Sequence, residues 1–416
     1  MTRCYTVPGR VELVGKHVDY GGGRSLTCAV EFAMRAIATP TKERVLCVRQ
    51  RGSRDVVEVP ISPSAAPTRA RWSTYVAAVA RRIGRDFPHA TGGVDVRLSS
   101  TLPPAAGLSS STALTIALAR AVVDATGITA NSVFAEHAGS PIGFAEYVAA
   151  IETGAPHGPF PGDDGVGVRG GAQDHVAIMC AREGMVGQFS YIPAREEGWA
   201  PWPADQVLVI GVSGVRATKT GNVQAAYNRA ADAVRWMVRQ WNGLTYRNDA
   251  TLAAALASGP DAAERLASIA RGTDGNLGTK GAPVTAEYLL NRLAQFREEC
   301  DTIVPGVADA FRARDFARLG SLVDRSQALA ESALENQVPE TIALARLARE
   351  HGAVAASAFG AGFGGAVWAM VAGDRAEGFA EQWRHAYGAL FPNRAARSRF
   401  LVTRPSAPAG SGWSHG

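Results

Sequence analysis

No uninterrupted apolar run in these 416 residues is long enough to span a bilayer, and no cysteine pair takes a C-x-x-C spacing. The five cysteines (Cys4, Cys28, Cys47, Cys180, Cys300) are scattered and odd in number, which argues against a disulfide framework and against a zinc site and leaves reduced, mostly buried thiols. The first residues, MTRCYTVPGR, lack the apolar stretch of a signal peptide, so the cytoplasm is the expected compartment. Excess charge of one sign is also scarce. The net charge is +5, and the densest basic stretches, residues 69–71 and 81–85, bracket one predicted helix and read as its solvated ends, not as a nucleic-acid patch. There is no internal repeat and no G-x-x-x-x-G-K-[ST] phosphate loop.

What is present is an ordinary globular composition, with 46% hydrophobic and 19% charged residues, on a chain longer than one core usually serves. Two domains are expected, meeting near residues 190–205, which gives bounds of 1–195 and 196–403. The Pro/Gly/Ser-rich residues 404–416 read as a tail without fixed structure. Alternation predicts strands over 7–14 and 45–59, and apolar spacing predicts helices over 72–83 and 114–126. A strand over 93–98 precedes a Pro-Gly turn, and an apolar strand over 202–215 opens a mostly helical second half (222–241, 285–300, 315–336). A strand–loop–strand closes it over 355–371.

Glycines gather at residues 9–23, around Gly107, and at 360–365. In the second group, LPPAAGLSSSTAL (102–114) leaves a strand and enters an Ala-rich helix. The unpaired N–H groups and positive dipole end of a helix favour an anion, and serine hydroxyls there can cap the helix, bond phosphate or join a hydrated magnesium ion. On these residues alone, a plain serine cap and a phosphate site are equally good readings. Residues 8–23, PGRVELVGKHVDYGGG, set His17, Asp19 and Tyr20 beside glycines, a mixture of donors and acceptors suited to a polyhydroxylated ligand; a strand followed by a polar turn is the plainer alternative.

Context decides between these readings. The 102–114 loop resembles the P-x-G-x-G-L-S-S-S-A signature of the GHMP kinases, with Ala105-Ala106 where glycine is frequent. Residues 8–20 resemble the galactokinase form P-G-R-V-N-L-I-G-E-H-x-D-Y; Gly170-Gly171-Ala172-Gln173-Asp174-His175 resembles G-I-M-D-Q; residues 356–366 resemble G-x-x-x-T-G-A-G-F-G-G. Lesser matches (Trp72 in W-x-N-Y-V, Tyr227 in Y-N-x-R-R) carry the resemblance to about residue 403.

The resemblance implies an α+β GHMP kinase fold: an N-terminal domain like the second domain of ribosomal protein S5, then a helix-rich α+β domain, with the active site between them. It implies an ATP- and Mg2+-dependent sugar kinase acting on the anomeric 1-hydroxyl, with Asp174 as base and Arg10 stabilising transferring charge. His17, Asp19, Gly171 and Tyr227 would hold the sugar. Lys16 stands where galactokinases have Glu, exchanging an acceptor for a cation, so an acidic or phosphorylated sugar or a cyclitol is a rival substrate. A silent sugar sensor is a second rival. The triphosphate would lie over Ala105, Ala106, Gly107, Leu108, Ser109, Ser110 and Ser111, with Trp72 near adenine or in the core. Ser111 and Glu152 (Glu146 being the alternative) would hold the metal. His175 would be a structural neighbour. No nucleic-acid or membrane partner is implied, and a monomer or weak homodimer is expected.

Overall fold

A computed structural model describes every residue except 71, 105, 169, 216–221, 274–283 and 411–416, and only the backbone of 222–227. β1 (Arg3–Val14) pairs antiparallel with β2 (Arg24–Thr41), an 18-residue strand absent from the sequence reading. The omission has a physical reason. Residues 25–30 of β2 are buried on both faces and carry no period-2 signal, and only from Met34 onward do buried and exposed residues alternate. The alternation over 45–59 is not one strand but a hairpin, β3 (Val45–Gln50) and β4 (Val56–Pro60). β5 (Gly93–Ser100), β6 (Met185–Ser190) and β7 (Arg195–Pro201) complete a seven-stranded sheet ordered β4-β3-β5-β2-β6-β7, with β1 beside β2. Only β3 and β5 run parallel. The sheet's last strand therefore reaches Pro201, past residue 195.

The second sheet, ordered β11-β8-β10-β9, joins β8 (Gln206–Val212), β9 (Ala355–Ala358), β10 (Ala366–Ala372) and β11 (Arg399–Thr403), all antiparallel. β8 reads as a continuous apolar run because it is buried on both faces. Val207 and Val209 pack with Leu344, Phe379 and Trp383 of the helices Pro339–Glu350 and Ala376–Leu390. Leu208, Ile210 and Val212 belong to the large core shared with Val307, Phe311 and Val323. That core also holds Leu114, Ile116, Leu118 and Val122 of the helix Ser110–Ala125, so one apolar mass links both sheets and fixes the helix that opens with Ser110 and Ser111.

Two expectations are overturned. Residues 81–85 are not a solvated helix end: Arg82 is fully buried, pairing with Asp86 at 2.7 Å and donating to the Ala155 carbonyl. Arg81 donates to the Gly165 carbonyl, and Arg85 to the Gly162 and Pro161 carbonyls, so the helix Ser73–Asp86 clasps residues 155–165. Nor are residues 404–410 a loose tail. Ser406 N–H donates to Ala29, Ala409 to Ile178 and Gly410 to Thr6, while the buried Arg120 guanidinium donates to the carbonyls of Ala409 and Gly410. A composition typical of disorder is held here because its backbone groups find partners in the first domain.

Candidate active site

Arg10 reaches the centre of the molecule because β1 lets another segment come unusually close. A Cβ at Gly9 would lie 2.6 Å from Leu102 Cδ2 and 2.8 Å from the Leu108 carbonyl, so only glycine admits the 102–108 loop. Next to it, Arg10 N–H donates to the Leu108 carbonyl at 3.3 Å and its Nη1 donates to the Gly107 carbonyl at 2.6 Å. The Arg10 Nε donates to Asp174 Oδ1 at 2.6 Å, and Ser109 Oγ donates to Asp174 Oδ2 at 2.5 Å. Asp174 lies in the first turn of the helix Gln173–Met179. Both of its oxygens are thus held from opposite sides.

Ser109 has φ 58°, the left-handed region, and precedes the helix Ser110–Ala125 without capping it. A serine that gives its hydroxyl to Asp174 instead leaves the first N–H groups of a 16-residue helix open to an anion. His17 and Phe363 also have positive φ, at 57° and 58°. Strained non-glycine backbone is commonest where function holds it in place.

Around these groups lies an open cleft. Among the expected residues, Arg10, His17, Asp19, Gly107, Ser109, Ser110, Ser111, Glu152, Gly171 and Asp174 line it, together with Phe359 and glycines of the 360–365 loop. His17 sits between the Tyr20 hydroxyl (Nδ1, 3.1 Å) and the Ala361 carbonyl (Nε2, 3.2 Å). Asp19 packs so tightly on Gly171 that a Cβ there would meet Asp19 Oδ2 at 2.4 Å. Burial, and then the charge of Asp174, push the Asp19 carboxyl above its ordinary range.

Other expected residues stand elsewhere. Ala106 and Leu108 are buried in the core and contribute no wall to the cleft. Trp72 packs half-buried against that core, also outside the lining, which favours the packing reading over the adenine one. Glu146 accepts from Ala194 N–H at 2.7 Å, away from the cleft, whereas Glu152 lines it with Oε1 lacking any hydrogen-bond partner among the described residues. Ala105 and the Tyr227 side chain lie outside the described residues.

Lys16 is the clearest correction. Its ammonium is buried and turned out of the cleft, donating to Ser326 Oγ at 2.7 Å, and that hydroxyl donates to Glu299 Oε1 at 2.5 Å. Glu299 Oε2 accepts from Gly15 N–H at 2.8 Å. Burial pulls the Lys16 ammonium below its usual range, opposed by Glu299 and Glu12. A cation closed off by its own relay offers nothing to an acidic ligand.

The sequence reading passed over Glu12 and Gln173. Glu12 is buried, lines the cleft, accepts a hydrogen bond from Gln173 Nε2, and has an unpartnered Oε1. Desolvation pushes its carboxyl up to about 8, against the pull of Arg10 and Lys16. The signal was legible: Glu and Gln stand where the quoted galactokinase motifs have Asn and Met.

Family models match three stretches of the chain: the galactokinase galactose-binding signature at residues 2–40, the GHMP kinases N terminal domain at 74–160, and the GHMP kinases C terminal at 307–389. A galactokinase of Chloroflexus aurantiacus is 30% identical over 224 residues, 53% of this chain and 51% of its own. One of Lacticaseibacillus casei is 26% identical over 211 residues, 50% and 49% of the two chains. The chain thus matches these relatives over about half their length. Among solved structures, Lactococcus lactis galactokinase complexed with galactose aligns with TM-score 0.79 at 19% identity, covering 98% of this chain and 95% of that one. A Methanococcus jannaschii mevalonate kinase aligns with TM-score 0.57 at 13% identity over 98% and 99% of the two chains. At such identities the likeness is one of fold.

Proposed function

Because the chain belongs to the GHMP kinases and its N-terminal signature is of the galactokinase type, we propose that it transfers the γ-phosphate of ATP to a sugar hydroxyl, the anomeric 1-hydroxyl of a galactose-like sugar. The observation that carries this reading is the convergence of Arg10, Ser109 and Asp174 at an uncapped helix N-terminus inside one cleft.

Phosphoryl transfer asks the protein mainly for position and charge neutralisation. Asp174, fixed at both oxygens, orients the sugar hydroxyl and takes its proton as the bond to phosphorus forms. Arg10 faces the charge gathering on the phosphoryl oxygens, and the N–H groups of residues 110–112 hold the remaining phosphates. His17 and Asp19, a donor-acceptor pair on one turn, fix the sugar ring. A magnesium ion bound with ATP would neutralise phosphate oxygens, and the Ser111 hydroxyl and Glu152, whose Oε1 accepts no hydrogen bond among the described residues, are the groups suited to hold it. An acidic substrate has little support, since Lys16 faces Ser326.

The test is ADP release from ATP across galactose, other neutral hexoses, galacturonate and hexose phosphates, with the product identified by 31P NMR. Turnover with galactose or another neutral hexose, and phosphorus coupled to the anomeric proton, are expected. No ADP release with any sugar would overturn the proposal.

A further inference from the structure

His175 is expected from the sequence to be a structural neighbour of Asp174, and in the structure it stands against Glu152 without forming a hydrogen bond. The residue is 3% exposed, and neither ring nitrogen has a hydrogen-bond partner among the described residues. A buried imidazole is ordinarily fixed through at least one nitrogen. Its Nε2 lies 3.4 Å from Glu152 Oε1, which also lacks a partner. Both side chains line the cleft with Ser111.

The separation is informative. Two ligands adjacent on one ion, at metal–donor distances of about 2.1 Å, stand roughly 3.0–3.4 Å apart. Nε2 and Oε1 already have that spacing. An imidazole also changes which ion is preferred. Mg2+ is bound through oxygen, whereas ions from Mn2+ onward accept nitrogen as well. A set of one imidazole, one carboxylate, one hydroxyl and phosphate oxygens remains hard enough for Mn2+.

We propose that His175 and Glu152 together ligate a divalent ion, Mn2+ in preference to Mg2+, in a site that Ser111 and the nucleotide phosphates complete. No three His, Cys, Asp or Glu side chains converge as a metal site among the described residues, and the nucleotide phosphates would supply the remaining ligands. The proposal rests on the kinase reading for its phosphate ligands.

Pulsed EPR of the full chain with Mn2+ and the β,γ-methylene analogue of ATP tests it directly. The expected spectrum carries the modulation of a bound 14N, replaced by a 15N pattern when the histidines alone are 15N-labelled, a comparison that needs no variant. His175→Gln removes the modulation and lowers the Mn2+-over-Mg2+ binding preference about tenfold. Mn2+ bound with nucleotide but without histidine coupling, or coupling that survives in His175→Gln, overturns the assignment while leaving the kinase reading standing. Failure of the protein to take up Mn2+ with the nucleotide analogue overturns both.

Discussion

Arg10 and Asp174, 164 residues apart in sequence, meet at 2.6 Å with the arginine side chain almost wholly buried and the carboxylate a quarter exposed toward the cleft. Ser109 holds the second carboxylate oxygen. If this clamp orients the base, Ser109→Ala lowers kcat about tenfold and leaves nucleotide affinity unchanged, as steady-state kinetics and nucleotide titration check. Ser109→Gly loses the same hydrogen bond but relieves a left-handed backbone, so in denaturant unfolding it is more stable than Ser109→Ala by about 1 kcal/mol.

Lys16 answers to stability and not to substrate choice. Lys16→Met leaves Glu299 buried without its cation and costs about 3 kcal/mol in denaturant unfolding. The sugar KM of the folded variant stays within about twofold of the parent. Lys16→Glu faces Glu299 with a second carboxylate; it is less stable still and gains no new sugar.

Glu12 makes stability depend on pH. Its carboxyl titrates near 8 in the folded chain, above its value in the unfolded one, so the folded state binds the extra proton between the two. The stabilising contribution is complete at pH 4 and is lost as pH rises through 8. Glu12→Gln carries no such proton. Thermal melts of the two proteins from pH 5 to 9 are therefore expected to diverge, the variant gaining on the parent as pH rises.

The Arg82–Asp86 pair is completely buried and is joined by the Tyr147 hydroxyl at 3.1 Å. Arg82→Ala leaves the buried Asp86 with Arg85 and the Tyr147 hydroxyl as partners and unclasps the carbonyl of Ala155. A loss of about 2–3 kcal/mol is expected, less than for a carboxylate left wholly unpaired. Hydrogen exchange should rise first over residues 155–168, before the rest of the first domain.

The elements that the sequence made legible are those with a period or a compact motif. The helix Ser110–Ala125, the strands flanking the 360–365 loop and the cleft residues Arg10, His17, Asp19 and Asp174 all fall in this group. β2 was lost because burial on both faces erases alternation. Lys16 was misplaced because a motif position does not say which way a long side chain turns, and the groups that turn it, Ser326 and Glu299, lie some 300 residues away. Arg82 and residues 404–410 were misread for the opposite reason: composition marked them as surface, while the Ala155 carbonyl that Arg82 holds and the groups that hold residues 404–410 are remote in sequence. Glu12 and Gln173 were visible as paired departures from the motifs, but their contact was not.

The central claim, that Asp174 serves phosphoryl transfer to a sugar, is most directly tested by rapid-quench single turnover of ATP with an accepted sugar in the parent and in Asp174→Asn. The account predicts that the variant binds nucleotide as the parent does and forms sugar phosphate at least about 10³-fold more slowly. Transfer at the parental rate in Asp174→Asn would contradict it.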